Sequence, residues 1–431
     1  MTAQHSTSLS KPKIFYGWYI VAGLTTVGMV SAGMGGINFG LFLPPMVAEL
    51  GIKHTFFGWA LTARLVGFSA SSWLIGRILD QHGARIPMAV AGTITGLIMM
   101  SLGFMQEGWH LVALFFIMGA IGMHGGGENL YQAVPLSRWF VRKRGKAMSI
   151  AFLGIPIGIF IFSPLSQFLI DSTGWRSAWF ILGGGGSIVI VLVGLLIIRK
   201  DPQSMGLSPD GDLDENDTVE TVDQTRPART EEYPWTRSQA IHTPAFWAIV
   251  IMLGIRMFSV STIVIFRIPF YIEQGISAKL VAWALSAEAV IAATMSLTTG
   301  WASDRFHPRL VTAVSLLLLI IAIFVTIYVT TPWQMFLSAM LFGASAASAV
   351  VSQNVLWPSY FGVMNIGSIR GLAAPFILIF SGIGAPVAGA VKDATGTYAP
   401  VWLAANLSLV PVAVIILLTP RPKLPVNDNK E

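Results

Sequence analysis

Apolar residues in this chain fall into blocks of about twenty or more, each long enough to carry an α-helix across a bilayer. Twelve such spans can be read: 15–45, 56–78, 86–105, 109–136, 147–170, 176–198, 244–270, 280–302, 309–330, 334–357, 371–391 and 399–419. Gly and Pro recur inside them, which membrane helices tolerate better than soluble ones. Only 11% of the residues are charged, less than half the roughly 25% of a soluble protein. That supply excludes a soluble enzyme and a disordered chain. The absence of Cys excludes disulfides, thiolate metal sites and cysteine nucleophiles. The first span follows a polar head with Lys11 and Lys13, outruns a signal-peptide core and lacks a small-residue cleavage site, so it reads as an uncleaved helix. The expectation is an all-α integral membrane protein with twelve transmembrane helices.

Lys and Arg accumulate in cytoplasmic loops and so set the orientation. With the N-terminus inside, the inner segments hold 20 of the 27 basic residues, among them Arg138, Arg142, Lys143, Arg144 and Lys146. The outer segments hold four, Lys53, Arg176, Lys279 and Lys392. Arg64, Arg256 and Arg267 remain within spans. This bias predicts a multi-pass protein of the cell's inner (plasma) membrane with both termini cytoplasmic, and the +6 net charge reflects topology rather than nucleic-acid binding. Residues 199–243 carry ten acids and five bases, with the cluster Asp210–Asp217. So polar a stretch cannot offset its ordering entropy by burial. It is expected to be a flexible cytoplasmic linker, with a short helix near 235–241, joining halves 1–198 and 244–420. Residues 421–431 form a cytoplasmic tail.

The halves repeat each other in fixed register. Adding 224 maps Pro45 onto Pro269, Glu49 onto Glu273, Gly51 onto Gly275 and Trp59-Ala-Leu61 onto Trp283-Ala-Leu285. It also maps Gly76, Asp80 and Arg85 onto Gly300, Asp304 and Arg309. With a shift of about two residues, Asp171-Ser-Thr-Gly174 answers Asp393-Ala-Thr-Gly396. A parallel repeat of six helices each is how many transporters are built, with the substrate site near the midplane between the repeats.

On these residues the chain resembles the major facilitator superfamily. Its loop signature between the second and third helices, G-x-x-x-D-(R/K)-x-G-x-(R/K), reads here Gly76-Arg-Ile-Leu-Asp80-Gln-His-Gly83-Ala-Arg85. A second copy runs from Gly300 to Arg309. Gln81 and His307 depart from the pattern. Asp80 can cap a neighbouring helix or pair with a cytoplasmic Arg, so Asp80, Arg85, Asp304 and Arg309 read as gating or structural charges. Tyr16-Gly-Trp18, Phe39-Gly-Leu-Phe-Leu-Pro-Pro45, Arg138–Gly145 and Trp357–Gly371 resemble the monocarboxylate-porter and oxalate/formate-exchanger branch. The resemblance implies two six-helix bundles, the major facilitator fold. That branch usually carries its anion-binding Arg in the eighth helix. Here the stretch 292–300 has no cation, so an anchoring Arg must come from the seventh helix or be Arg64.

Charges at helix centres cost about 2.5–3.5 kcal/mol on insertion scales, which makes each a functional candidate. Arg256 lies about 12 residues, or ~18 Å, into the seventh span. Its planar guanidinium matches a carboxylate, so it reads as a substrate-anion anchor or as half of a structural pair with Glu288 or Glu128. Arg64 and Glu288 hold equivalent repeat positions with opposite sign. Arg64 and Arg267 read as gating or structural charges. His124, Glu128, Tyr131 and Gln132 share one face of the fourth span, with Asn129 beside them. Glu128, and with it Glu288, reads as a proton carrier, since a desolvated Glu can bind a proton near neutral pH. Asn129, Tyr131 and Gln132 would shape the substrate site, or else form an interhelical hydrogen-bond cluster.

The tetraglycine 183–186 has no following Lys-Ser/Thr, so it reads as a packing surface rather than a phosphate loop. The histidines have no metal-ligand spacing, and no hydrolytic set is present. The expected function is a secondary transporter of small organic anions, coupled to protons, without cofactor, nucleic-acid partner or enzymatic activity. An anion exchanger of the oxalate/formate type and a transporter-like membrane sensor are the alternatives.

Overall fold

The computed structural model describes residues 15–123, 130–211, 235–362 and 364–422. All regular structure among them is helical. Helices α1 (Tyr16–Gly33) and α2 (Gly36–Leu50) form the first expected span, α3 (His54–His82) the second and α4 (Arg85–Leu102) the third. Helices α5 (Gly108–Ile121) and α6 (Leu130–Trp139) flank residues 124–129. Helix α7 (Arg144–Phe152) leads into α8 (Gly154–Leu192), which Gly174, at φ 80°, divides into two arms. The second half begins with the short α9 (Arg237–Ile241). Helices α10 (Pro244–Ile263), α11 (Arg267–Glu273) and α12 (Ala278–Arg305) follow, then α13 (Pro308–Ile327), α14 (Pro332–Phe361), α15 (Ile366–Thr395) and α16 (Ala399–Leu418). Nine helical stretches among the described residues are long and apolar enough to cross a membrane, and one of them, Arg144–Ile197, holds both arms of α8. The protein crosses the membrane many times.

Local sequence sets the helix starts. The Thr243 hydroxyl accepts the Phe246 N–H, with Pro244 in the first turn. Thr331–Gln334 and Thr236–Gln239 each form a capping box. Between helices the packing depends on glycine, because lipid tails give apolar side chains no reason to leave them for one another. A Cβ on Gly154 or Gly158 would lie 2.2 or 2.1 Å from the Thr25 or Met29 carbonyl oxygen of α1. The tetraglycine splits by face. Gly183 and Gly186 lie against Gly96 and Met34, whereas Gly184 and Gly185 meet no backbone within 4 Å.

One end of the molecule gathers the basic residues, and there arginines close helix C-termini. Arg138 donates to the Asp80 and Leu79 carbonyls at 2.8 and 3.3 Å, and approaches the Asp80 carboxylate at 3.5 Å. Arg85 donates to the Leu195 carbonyl at 3.1 Å, and Arg309 donates to that of Thr419 at 3.0 Å. These two contacts are repeat equivalents. The inter-half segment is attached at both described ends. The Asp210 carboxylate accepts the backbone N–H groups of Val141, Arg142 and Lys143 at 2.9, 2.8 and 3.1 Å. Burial pushes that carboxyl up, but the three N–H donors and Lys143 outweigh it and hold it below the usual carboxylate range. Asn365 donates to the Trp235 carbonyl at 2.9 Å, and Trp235 stands edge-on to Phe361. Each end of the segment therefore belongs to its own half.

The glycine seams give a first expectation. Gly158→Leu should prevent recovery of folded protein or lower its melting temperature sharply, since overpacking costs about 1–3 kcal/mol even where atoms can shift. Gly185→Leu should melt close to wild type. Equal melting curves for the two variants in detergent would refute this account of the seam.

Candidate functional site

The two halves touch through three helix pairs, α3 against α15, the first arm of α8 against α12, and α2 against α11. All hydrogen bonds between the halves among the described residues lie near the end opposite the basic one. The Thr62 hydroxyl donates to the Gly382 carbonyl, and the Ser286 hydroxyl donates to that of Phe160 at 2.8 Å. Gly58 faces the Ala385 carbonyl so closely that a Cβ would stand 2.4 Å away. At the rim, the Asp393 carboxylate accepts the backbone N–H groups of His54 and Thr55, both at 2.9 Å. The halves are thus closed at one end and unjoined at the other.

Arg256 of α10 is buried, with 5% of its surface exposed. Its longest reach is a weak 3.4 Å contact to the Ser345 carbonyl of α14, and its Nε has no partner. Among the described residues no carboxylate pairs with it. Glu288 is engaged elsewhere, by Arg267 at 2.6 Å. Arg267 is 1% exposed and also lies over the Phe342 ring, 4.1 Å from its centroid. The chain leaves α10 after Ile263 and re-enters a helix at Arg267.

Arg64 on α3 is half-buried, with its guanidinium 5.9 Å from the Phe115 ring centroid and no carboxylate partner among the described residues. Its backbone is clasped by Gly119, just as the Glu288 backbone is clasped by Gly343, 224 residues later. The partner of Glu288, Arg267, corresponds to Leu43 in the first half. This is why Arg64 stands without a counter-charge where Glu288 has one. The core therefore carries one neutralised arginine and two without a described carboxylate, one in each half. Burying an uncompensated cation is costly, and an anionic ligand is one way to supply the missing charge.

The remaining candidates are placed as follows. Gln132 is buried and donates to the Leu24 carbonyl of α1 at 2.7 Å, leaving its Oε1 without a partner. The Tyr131 hydroxyl donates to the Ile121 carbonyl at 3.0 Å, bridging across residues 124–129. Gln132 thus joins the fourth span to the first, whereas the Tyr131 bond stays within the fourth span. Glu128, Asn129 and His124 lie outside the described residues. Ser259, one turn from Arg256, donates to the Ile255 and Ala405 carbonyls and so packs helices. Asp80, Arg85 and Arg309 serve the basic end as described above, and Asp304 is exposed there. No group of His, Asp and Glu able to hold a metal occurs among the described residues. A groove of about 770 Å³ beside Phe56, Trp59, Trp109 and Phe116 is apolar throughout and suits lipid, not an anion.

Sequence reasoning passed over Thr62, Ser286 and the contacts of Asp393. A signal existed, since Thr62 and Ser286 are related by the offset of 224, and Phe160 and Gly382 by the 222 that relates Asp171 to Asp393. Glu288→Gln should leave Arg267 buried and uncompensated, at a cost of about 3–5 kcal/mol. A joint replacement, Arg267→Leu with Glu288→Leu, should melt higher than Glu288→Gln alone. A single variant as stable as wild type would contradict the pairing.

The family model of the Major Facilitator Superfamily matches residues 25–277 and 257–431. Monocarboxylate transporter 11 of Mus musculus is 22% identical over 94% of this chain and 88% of its own length. Monocarboxylate transporter 4 of Mus musculus is 23% identical over 96% of this chain and 85% of its own. Among solved structures, a bacterial homolog of the human lysosomal transporter Spinster, inward-facing and unoccupied, superposes with a TM-score of 0.72 at 15% identity. It covers 95% of this chain and 97% of that one. The nucleoside transporter NupG gives 0.69 at 14% identity, covering 94% and 98%.

Proposed function

Because the chain belongs to the major facilitator superfamily, we propose that it carries small organic anions, monocarboxylates first among them, by alternating access coupled to protons. The observation that carries this reading is Arg256, a buried cation without a carboxylate partner among the described residues. The names of its relatives, monocarboxylate transporters 4 and 11, agree with that chemistry. A carboxylate arriving at Arg256 would receive a planar, charge-assisted fork and would neutralise the guanidinium at mid-depth. Tyr131 and Gln132, with Asn129, would border the site from the first half. Glu128 would carry the proton, and Glu288, held by Arg267, would serve the same coupling in the second half.

Orientation follows from charge. The basic end would face the cytoplasm, so the joined end is the outer one and the carrier rests facing inward. The linker ends, docked at the basic end, then lie in the cytoplasm with both termini. In the transport cycle the anion and proton would cross the midplane as the helix pairs α3–α15 and α8–α12 release at one end and meet at the other. Exchange of two anions is favoured by one observation, the second cation at Arg64 without a described counter-charge.

Reconstituted protein in liposomes, under an inward proton gradient and given radiolabelled aliphatic, hydroxy, oxo and aromatic carboxylates, tests this reading. Arg256→Ala should lower initial uptake by roughly 10- to 100-fold, the value of hydrogen bonds to a charged group, with membrane insertion intact. Uptake at wild-type rates would remove the anchor. Glu128→Gln should still exchange labelled for unlabelled substrate but should not accumulate it against a gradient. Accumulation unchanged in that variant would assign coupling elsewhere.

A further inference from the structure

The contact at Asp393 differs from its repeat equivalent in a way that bears on transport. Helix α3 begins after Lys53, a residue that cannot accept a hydrogen bond from the first turn, and no side chain of its own segment caps it. Its N–H groups at His54 and Thr55 are satisfied instead by the Asp393 carboxylate, from the far end of α15 in the other half. The Thr55 hydroxyl donates to the same carboxylate at 2.5 Å, and His54 Nδ1 stands 3.0 Å from it. A carboxylate at a helix N-terminus is favoured by the helix dipole as well as by the hydrogen bonds.

The equivalent start in the second half is built the other way. Adding 224 to Lys53 gives Ser277, whose hydroxyl caps its own helix α12 by accepting the Leu280 N–H at 3.4 Å. The residue equivalent to Asp393 is Asp171, which accepts from Gln167 at 2.7 Å on the same helix. Deeper in, the two halves do match. Thr62 donates to Gly382 and its equivalent Ser286 donates to Phe160. The joined end is thus closed by a symmetric pair of hydroxyl contacts and by one asymmetric cap that only the opposite half can provide. Two glycines let the backbones come this close. Gly58 meets Ala385 and Gly389 meets His54, each leaving no room for a Cβ.

We propose that Asp393 is a conformational latch, a helix cap shared between halves that must be released whenever this end of the carrier opens. Because α3 has no cap of its own, opening exposes its first-turn N–H groups, and that cost weights the resting population towards the closed end. At the equivalent joint, the start of α12, Asp171 stays on its own helix and carries no such charge across. The proposal stands on the interface alone and is independent of what Arg256 binds.

The chain has no native Cys, so a spin-label pair at Gln106→Cys and Gln274→Cys, on opposite halves at this end, reports its opening in lipid nanodiscs. Wild type should give a predominant short distance. Asp393→Ala should raise the fraction of a longer distance by roughly 5- to 30-fold, the range expected for loss of a cap and its charged bonds. Adding Lys53→Ser to Asp393→Ala gives α3 a local cap like that of Ser277, which should restore the melting temperature while leaving the end open. A double variant that returns to the wild-type distance would show that Asp393 only caps the helix, and would overturn the latch. So would an Asp393→Ala distribution identical to wild type. If Asp393→Ala does not fold, the double variant and Asp393→Asn, which keeps one carbonyl acceptor, supply the same readout.

Discussion

Hydrocarbon offers a protein no hydrogen-bond partner and no counter-ion, and nearly every feature of this chain answers that deprivation. Backbone groups are satisfied inside helices because nothing else can satisfy them at that depth. The helices then associate through glycines, where backbone meets backbone at Gly154, Gly158, Gly119 and Gly58. Where helices end at the basic face, Arg85, Arg138 and Arg309 take up the last carbonyls. The same constraint sorts the buried charges. Arg267 and Glu288 compensate each other at 2.6 Å, so that pair can remain in place without a ligand. Arg256 has no such arrangement, and its burial is the less comfortable for it.

The fold was legible because the signals that specify it are coarse and redundant. A span needs only about twenty apolar residues, an orientation only an excess of Lys and Arg, and a repeat only a handful of uncommon residues in register. Depth was legible for the same reason, which is how Arg256 and Arg64 were found. Partnership was not. Glu288 could equally have served Arg256 or Arg267 by depth and sign. In the folded chain it pairs with Arg267, at 2.6 Å, and leaves Arg256 alone among the described residues. Gln132 shows the same limit. A polar residue in a span announces a bond, but not whether its other end is a ligand or, as at the Leu24 carbonyl, the next helix. Glu128 and Asn129 lie outside the described residues, so their roles stand as sequence expectations.

A duplicated bundle supplies a control within one molecule, because positions 224 apart share depth and neighbours while differing in chemistry. The scaffold positions agree across that offset. Gly119 and Gly343 clasp the same turn, Arg85 and Arg309 close the same helix end, and Thr62 and Ser286 make the same bond. Four of the positions that disagree also change charge: Ala32 against Arg256, Leu43 against Arg267, Arg64 against Glu288 and Lys53 against Ser277. None of these four is needed to build the bundle, since the other half builds its copy without it. A symmetric scaffold can rock about the midplane but has no reason to treat its two halves differently, or to prefer one sign of ligand or one partner ion. Those preferences have to come from residues that break the repeat. Arg256 against Ala32 puts a buried cation into the second half where the first half has none. Lys53 against Ser277 makes one helix start depend on the opposite half while its equivalent is self-sufficient, so the two joints at that end of the carrier are closed by unequal means.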